Sequence, residues 1–349
     1  MKNASSITAL TAAIFMASLV AFPSCKKKNN DDEYGTLNGR MKYDLPSYVH
    51  PGETYTITPH GVSHPEGKNL GYYVYRSWAT SSYRDTLRYC NSSDTSPITY
   101  TLQIPDKLGT GYDFAFHAYA DDYYSTSMTT SLTIVGEKME EVFSGLDYSD
   151  SDPSFTDPRD DMEYRTVTIG SDEWFRQNLS YADCGVPFSN APAMTRITGN
   201  FYSWDEAVSS CPEGWHLSTG EDWLALGKLL TGDEGLSVHD SFPGVSGDLM
   251  VDAKFFGTRM WEYWPNDVTI TNKYLFNALS FGYANTYDEG APRFEHPNEY
   301  AAFWTADEDE NDSSKAWLRY FHYKQSDVMT TVADKGTFLA NVRCVRDRE

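Results

Sequence analysis

The sequence predicts two domains, an all-β sandwich followed by an α+β domain. Residues 36–136 contain short runs in which apolar and polar side chains alternate, separated by turn residues and without a convincing helix. From residue 164 onward, two short amphipathic helices occur between strand-like runs. The chain of 349 residues is long enough for two domains of ordinary size.

Residues 1–24 have the pattern of a secretory signal peptide. Lys2 precedes an uncharged, mostly apolar run over residues 7–22, and Ser24 provides a small residue before Cys25. A charged start, an apolar core and a small residue at the break are typical of an exported protein. The run is too short for a transmembrane helix, which needs about 20 predominantly apolar residues. We therefore expect cleavage before Cys25.

The Pro23-Ser24-Cys25 sequence at this cleavage point resembles the loose lipobox of Bacteroidetes lipoproteins. The resemblance implies that Cys25 becomes the acylated, palmitate-bearing first residue of the mature protein and anchors it in a membrane. The alternative is an ordinary secreted protein in which Cys25 has no such role.

Residues 25–35 are expected to form a disordered tether. Segment 26–33 places three lysines before an acidic run and has no apolar side chain to bury. The acidic run resembles the export signal that sends Bacteroidetes lipoproteins to the outer face of the outer membrane. We therefore predict a lipid-anchored outer-membrane protein that is exposed at the cell surface. A solvated linker on the periplasmic face is the alternative.

The composition argues against nucleic-acid binding. The chain carries 50 Asp and Glu against 28 Lys and Arg, a formal net charge of −22, whereas nucleic acid requires clustered cations. Aromatic residues make up 15% of the chain. Tyr and Trp suit both the cores of β domains and surfaces that bind sugars. Besides the membrane that holds the anchor, the expected partner is therefore a glycan or a surface protein.

Five strands are predicted in the first domain, between turn residues such as Pro51-Gly52. Segment 105–114 resembles the loop-to-strand entry of immunoglobulin-like domains, which implies an immunoglobulin-like sandwich over residues 36–136. We expect it to act as a spacer, and a sugar platform at Trp78 and Tyr83 is the alternative. The predicted strands cover residues 54–58, 71–76, 98–104, 113–119 and 131–135.

Residues 137–163 are predicted to form a solvated acidic linker. Segment 147–161 is rich in Asp, Ser and Pro and contains few apolar residues, so a packed element is not expected. The alternating Asp residues also resemble a calcium loop, but the glycine and the closing Glu of an EF-hand are missing.

Two helices are predicted in the second domain, residues 164–349. The first covers residues 204–211, and a Ser and a Glu three residues apart at its start match a capping box. The second covers residues 223–230 and follows a capping segment at 218–222. The first helix places four side chains with i, i+3, i+4 and i+7 spacing on one face: Trp204, Ala207, Val208 and Cys211.

The second domain contains six motif segments, residues 173–179, 201–204, 211–217, 303–308, 316–320 and 342–345. In this order they resemble the Fibrobacter succinogenes major paralogous domain found in lipoproteins of Bacteroidetes and Fibrobacteres. The resemblance to this family does not imply a particular biochemical activity. A more distant resemblance to C-type-lectin-like folds and formylglycine-generating enzymes rests on the Cys-bearing first helix, the second helix and a Cys-bearing last strand. It implies a C-type-lectin-like α+β fold.

The four cysteines after Cys25 allow three full disulfide pairings: Cys90, Cys184, Cys211 and Cys344. The helix-to-last-strand pattern of the resemblance points to a Cys211–Cys344 disulfide. Cys90 and Cys184 lie in different predicted domains, and we expect no bridge between them. No two of the cysteines have CxxC spacing, so zinc is not predicted.

No catalytic, metal or cofactor site is predicted. The chain lacks a nucleophile-elbow, zinc-protease or phosphate-loop motif. Cys184 has no nameable partner histidine, and His216 is interpreted as a satisfied core residue. Segment 295–299 has a Pro-Asn pair, but no Trp-Asn-Asp strand follows it, so a calcium-lectin site is not expected. The acidic run 307–312 is interpreted as a surface loop.

Three functions remain open. The first is a non-catalytic surface lipoprotein for binding or adhesion, with a glycan or protein ligand. The second is an envelope enzyme, or a partner of one, that acts on glycan or protein. The third is a structural component of a surface assembly. For the first, the predicted ligand-binding residues are Trp261, Tyr263 and Trp264, which concentrate aromatic and polar groups in a loop. Packing of Trp261 and Trp264 into the core is the alternative.

Overall fold

The computed structural model describes residues 34–181, 183–262, 268–287 and 290–347, and most of its regular structure is β-strand. The predicted signal peptide, Cys25 and residues 25–33 of the predicted tether lie outside the described residues. Tyr263 and Trp264 lie outside them as well. Among the described residues, no helix is long and apolar enough to span a bilayer.

The first domain, residues 34–136, is all β, as the alternating pattern predicts. A five-stranded sheet has the order β3-β11-β9-β6-β7, and two-stranded ladders pair β2 with β5 and β4 with β8. Each of the five predicted strands is present, as β4, β6, β8, β9 and β11, and the pattern missed the other six, of which β7 is the longest. The strands are β1 (Gly35–Thr36), β2 (Asn38–Lys42), β3 (Tyr48–Val49), β4 (Thr54–Ile57), β5 (His60–Ser63), β6 (Gly71–Trp78), β7 (Ser81–Arg88), β8 (Tyr100–Gln103), β9 (Gly109–Tyr119), β10 (Tyr123–Tyr124) and β11 (Thr126–Ile134).

The core of the first domain joins the five-stranded sheet to the two ladders. Val74 and Phe116 of the sheet are fully buried, and they belong to one apolar cluster with Ile57 and Leu102 of the β4–β8 ladder. Burying each such side chain stabilises the fold by roughly 1.5–3 kcal/mol. Period-two alternation places these residues on one face of each strand.

The start and the end of the first domain lie at opposite ends of its sheet. Near the start, Gly35 pairs with Tyr123, just beyond the end of β9. At the other end, Ile134 pairs with Gly109 at the start of β9, and the chain then enters the second domain. The nine residues of β11 span about 27 Å at roughly 3.3 Å per residue. Gly35, near the first described residue, therefore lies at the end of the first domain that is far from the second domain.

The predicted acidic linker is wrong, because residues 137–163 are packed. They form α1 (Met139–Val142), β12 (Phe143–Ser144) and β13 (Ser154–Thr156). Met139, Val142 and Phe143 are buried in a core of the second domain. The composition of the segment did not predict this packing. A few apolar side chains are enough to dock an acidic segment when its carboxylates form ion pairs with arginines.

The second domain, residues 137–347, combines small sheets with short helices. Its largest sheet has the order β13-β14-β15-β27-β18, and a second has the order β23-β24-β25. Its remaining strands are β14 (Glu163–Ile169), β15 (Asp172–Phe175), β16 (Val186–Pro187), β17 (Asn200–Phe201), β18 (His216–Leu217), β19 (Lys254–Phe255), β20 (Thr258–Arg259), β21 (Tyr283–Asn285), β22 (Arg293–Glu295), β23 (Tyr300–Glu308), β24 (Lys315–His322), β25 (Met329–Asp334), β26 (Phe338–Leu339) and β27 (Cys344–Asp347), and its remaining helices are α2 (Thr195–Thr198), α3 (Trp204–Ser210) and α4 (Gly220–Thr231).

Both predicted helices are present with their predicted caps. At α3, the Glu206 carboxylate accepts hydrogen bonds from the N–H and hydroxyl of Ser203. The Thr219 hydroxyl caps α4, which begins three residues earlier than predicted. Trp204 and Ala207 are buried as expected, but Val208, predicted on the same face, is exposed. The buried face of a seven-residue helix is therefore narrower than the spacing suggested.

The Cys211–Cys344 disulfide is confirmed, and it joins the end of α3 to β27 across 133 residues. β27 lies between β15 and β18 in the largest sheet, so the bridge ties the first helix to the centre of the second domain. Cys90 and Cys184 form no disulfide with any described residue.

The two domains meet where β11 ends. Tyr48 packs against Phe188 and Phe255 of the second domain, with ring centroids 5.9 and 6.3 Å apart. Val135 belongs to the same apolar core as these rings. Apolar contacts of this kind hold the second domain against the end of the sandwich.

Candidate functional site

The motif residues of the second domain form its scaffold. Arg343 is only 1% exposed, and its guanidinium donates hydrogen bonds to the Asn178 side chain and to the backbone carbonyls of Phe175, Phe276 and Asn277. Burial lowers the pKa of Arg343 to about 9. Its positive charge is balanced by carbonyl and amide dipoles, and it fastens the last strand to the segments beside it.

Arg176 holds segment 137–163 in place through a similar set of contacts. Its guanidinium forms an ion pair with Asp152 at 2.6 Å and donates to the backbone carbonyls of Asp147 and Leu275. Like Arg343, Arg176 is buried. The sequence pattern that distinguishes this domain therefore specifies its fold, and these guanidinium groups are not accessible to a ligand.

A cleft of about 400 Å³ opens in the first domain at the turn between β6 and β7. It lies at the end of the sandwich that faces the second domain. Ala79 has a positive φ of 52° in the two-residue connection, as tight hairpin turns require. We call this cleft the Trp78 cleft, and its lining residues are Arg76, Ser77, Trp78, Ala79, Ser81, Tyr83, Gln103, Pro105, Lys107 and Tyr112.

Aromatic rings form much of the wall of the Trp78 cleft. Trp78 pairs with Tyr112 across β6 and β9, and their rings meet edge to face at a centroid distance of 5.9 Å. Tyr83 lies opposite Arg76 on β7 and is 61% exposed. A large exposed ring beside two fixed rings provides a flat apolar surface in a polar setting.

Polar groups of the cleft are held by neighbours outside it. Arg76 forms an ion pair with Asp85 at 2.9 Å, and the Asp85 carboxylate also accepts a hydrogen bond from the Tyr100 hydroxyl. The Lys107 ammonium lies 5.3 Å from the centroid of the Trp78 ring. The cleft therefore combines a ring surface with two cationic donors, of which Arg76 is held by an ion pair.

Residues 167–346 match the family model of the Fibrobacter succinogenes major domain. The chain belongs to this family. The match covers more than half of the chain and confirms the family resemblance carried by the six motif segments. No curated protein matches the chain. We refer to residues 167–346 as the major domain.

The predicted ligand-binding residues of the major domain are not assembled into a site by the described structure. Trp261 is 2% exposed and packs in a core cluster with Trp174, Trp223 and Phe276. Its ring therefore stabilises the fold and is not available as a sugar platform. Tyr263 and Trp264 lie outside the described residues.

The major domain also presents a half-buried cluster of Tyr and His rings beside β23. Tyr300 lies 4.4 Å from His322 and 5.4 Å from His296, measured between ring centroids. Tyr283 lies 5.7 Å from His296 and 6.0 Å from Tyr300, and it also stacks on Phe338. These rings pack mainly on one another, so they present less free ring surface than Tyr83 does in the Trp78 cleft.

The candidate catalytic groups have structural partners. His216 Nε2 lies 3.1 Å from Asp222 Oδ2, and this hydrogen bond raises the pKa of His216. The same carboxylate accepts the N–H and hydroxyl of Thr219 at the start of α4. Burial raises the pKa of the Cys184 thiol, which is the opposite of activation for a nucleophile. In the described residues, no group of three or more His, Cys, Asp or Glu side chains could hold a metal.

Proposed function

We propose that the protein is a lipid-anchored lipoprotein of the outer cell surface that binds glycans, without catalysis, in the Trp78 cleft. The observation that carries this proposal is the exposed Tyr83 ring beside the fixed Trp78 and Tyr112 rings. Sugars present C–H faces to aromatic rings, and their hydroxyls accept hydrogen bonds from cationic and polar donors. The Trp78 cleft offers both kinds of contact within about 400 Å³.

The arrangement of the two domains supports display at a distance from a membrane. Cys25 precedes the first described strand by ten residues, and that strand lies at the far end of the sandwich from the second domain. An immunoglobulin-like first domain would thus act as a spacer as well as a binding domain. The Trp78 cleft and the major domain both lie at the end remote from the anchor.

The major domain is the second part of this proposal. Its α3–α4 arrangement with a Cys-bearing last strand fits the proposed C-type-lectin-like fold, in which a stable scaffold carries variable loops. Its buried motif residues support such a scaffold role. We propose that the major domain braces the cleft-bearing end of the first domain through the Tyr48 contacts.

Tyr83→Ala will weaken glycan binding about tenfold, equivalent to ~1.4 kcal/mol, because it removes the most exposed ring of the cleft. The purified chain from residue 34 onward will be measured on a glycan array and then by calorimetry with the best ligand. The melting temperature will stay nearly unchanged, since substitutions at exposed positions cost little stability.

Tyr124→Ala is the matched control, because Tyr124 is 63% exposed and lies at the opposite end of the sandwich. It will leave glycan binding unchanged. Equal losses in both variants, or no glycan bound by the unsubstituted protein, would contradict the proposed site.

Cys25→Ser will release the protein from the membrane fraction, because it removes the sulfur that would carry the lipid. Cell fractionation of both forms checks this, together with mass spectrometry of the mature N-terminus. A wild-type N-terminus without an acyl group would refute the anchor. Degradation by protease added to intact cells is expected for a surface location, and protection would move the protein to the periplasmic face.

A further inference from the structure

The Trp78 cleft carries a charge opposite to that of the chain. Its lining includes two cations, Arg76 and Lys107, and no carboxylate. The whole chain has 50 acidic and 28 basic residues. The basic groups of the cleft attract anions locally. The net negative charge of the rest of the chain repels anions elsewhere on the surface.

Lys107 is the less compensated of the two cations. Its ammonium forms no ion pair with a described carboxylate, and it lies 5.3 Å from the centroid of the Trp78 ring. Asp106 precedes it in the chain but does not line the cleft. Arg76 is paired with Asp85, whose side chain is also half exposed. The cleft therefore has about one uncompensated positive charge, located beside its largest ring.

Building on the proposed glycan function, we propose that the Trp78 cleft selects sugars that carry an anionic substituent, a carboxylate or a sulfate. The pyranose ring stacks on Tyr83 and Trp78, and the anionic group lies at the Lys107 ammonium. Ammonium-to-anion hydrogen bonds are stronger than neutral ones. The negative charge of the rest of the chain disfavours nonspecific binding of polyanions, so the ligand is a short acidic oligosaccharide or a chain end.

Two matched pairs of probes distinguish the anionic groups. Trigalacturonate and its methyl ester differ only in the carboxylate charge, and a sulfated dextran oligosaccharide and its unsulfated parent differ only in the sulfate. We expect the protein to bind the charged member of at least one pair tenfold or more tightly than its neutral counterpart. The preference will decrease as salt rises, because exposed charge pairs are screened.

Lys107→Gln will reduce this preference about tenfold, and Lys107→Arg will retain most of it. Lys68→Gln is the matched control, since Lys68 is an exposed lysine that lines a different cleft at the opposite end of the first domain. It removes the same charge and will leave the preference unchanged. Melting temperatures of all three variants will show that each remains folded.

The results separate this inference from the proposed function. Equal binding of charged and neutral probes, with binding weakened about tenfold in Tyr83→Ala, would overturn the anionic selectivity and leave the proposed glycan site unaffected. A preference that survives Lys107→Gln, or that falls equally in Lys68→Gln, would also overturn it. Binding of neither pair, with no other glycan bound, would overturn both.

Discussion

Replacing Arg343 by Met will lower the free energy of unfolding by about 3–5 kcal/mol. The substitution removes donors from four buried acceptors, and each acceptor left unpaired costs about 1–3 kcal/mol. The variant no longer has to bury the Arg343 charge, and this gain offsets part of the loss. Urea unfolding followed by circular dichroism will measure the change.

Arg346→Met is the control on the same strand. Arg346 pairs with Glu173 at 2.7 Å, but its side chain is half exposed, so its loss will cost less than about 1 kcal/mol. Equal effects at both positions would show that the buried network does not hold the last strand in place.

Removing the Cys211–Cys344 disulfide will destabilise the second domain by about 4–5 kcal/mol. The bridge closes a loop across 133 residues, and long loops give a large entropic stabilisation against the unfolded chain. The double variant Cys211→Ala/Cys344→Ala avoids an unpaired thiol. Denaturant unfolding of this variant, compared with the oxidised and reduced wild type, will measure the loss.

Cys184→Ala provides the comparison for the disulfide. Its thiol forms no disulfide with any described residue, so reduction will not act through it, and Ala will cost roughly 1 kcal/mol or less. A double variant as stable as the wild type would show that the loop remains closed without the bridge.

Local patterns in the sequence were sufficient to predict several elements of the fold. Period-two alternation located β8, because one face of this strand lies in the core. The Ser203–Glu206 pair located the start of α3 because capping depends on neighbours a few residues apart. Family motifs identified the second domain, because their buried arginines and tryptophans specify its scaffold.

Segment 137–163 was misinterpreted because composition does not reveal a distant partner. Asp152 appears solvated in the sequence, yet Arg176, 24 positions later, forms an ion pair with it. Three apolar side chains in α1 and β12 then dock the segment. This stabilisation depends on tertiary contacts, which a local sequence pattern does not predict.

The candidate cleft was only partly visible in the sequence. Trp78 and Tyr83 were expected in a loop, as an alternative sugar platform, whereas the structure places them on β6 and β7. Their neighbour Tyr112 comes from β9, and the β6–β9 register places it beside Trp78. Lys107 lies in the connection between β8 and β9. Trp261 was predicted to bind a ligand, but its ring is buried. A Trp in a loop-like segment has the same sequence pattern whether its ring is buried or exposed.

Hydrogen–deuterium exchange with a bound oligosaccharide tests the central claim, binding in the Trp78 cleft, most directly. The oligosaccharide is the best binder from the glycan array, added at saturating concentration to the chain from residue 34 onward. We expect slower exchange in segments 76–83 and 103–112. With the ligand lowered to about the wild-type Kd, the slowing there will be much smaller in Tyr83→Ala than in the unsubstituted protein. Slower exchange confined to residues 268–300 of the major domain would contradict the claim.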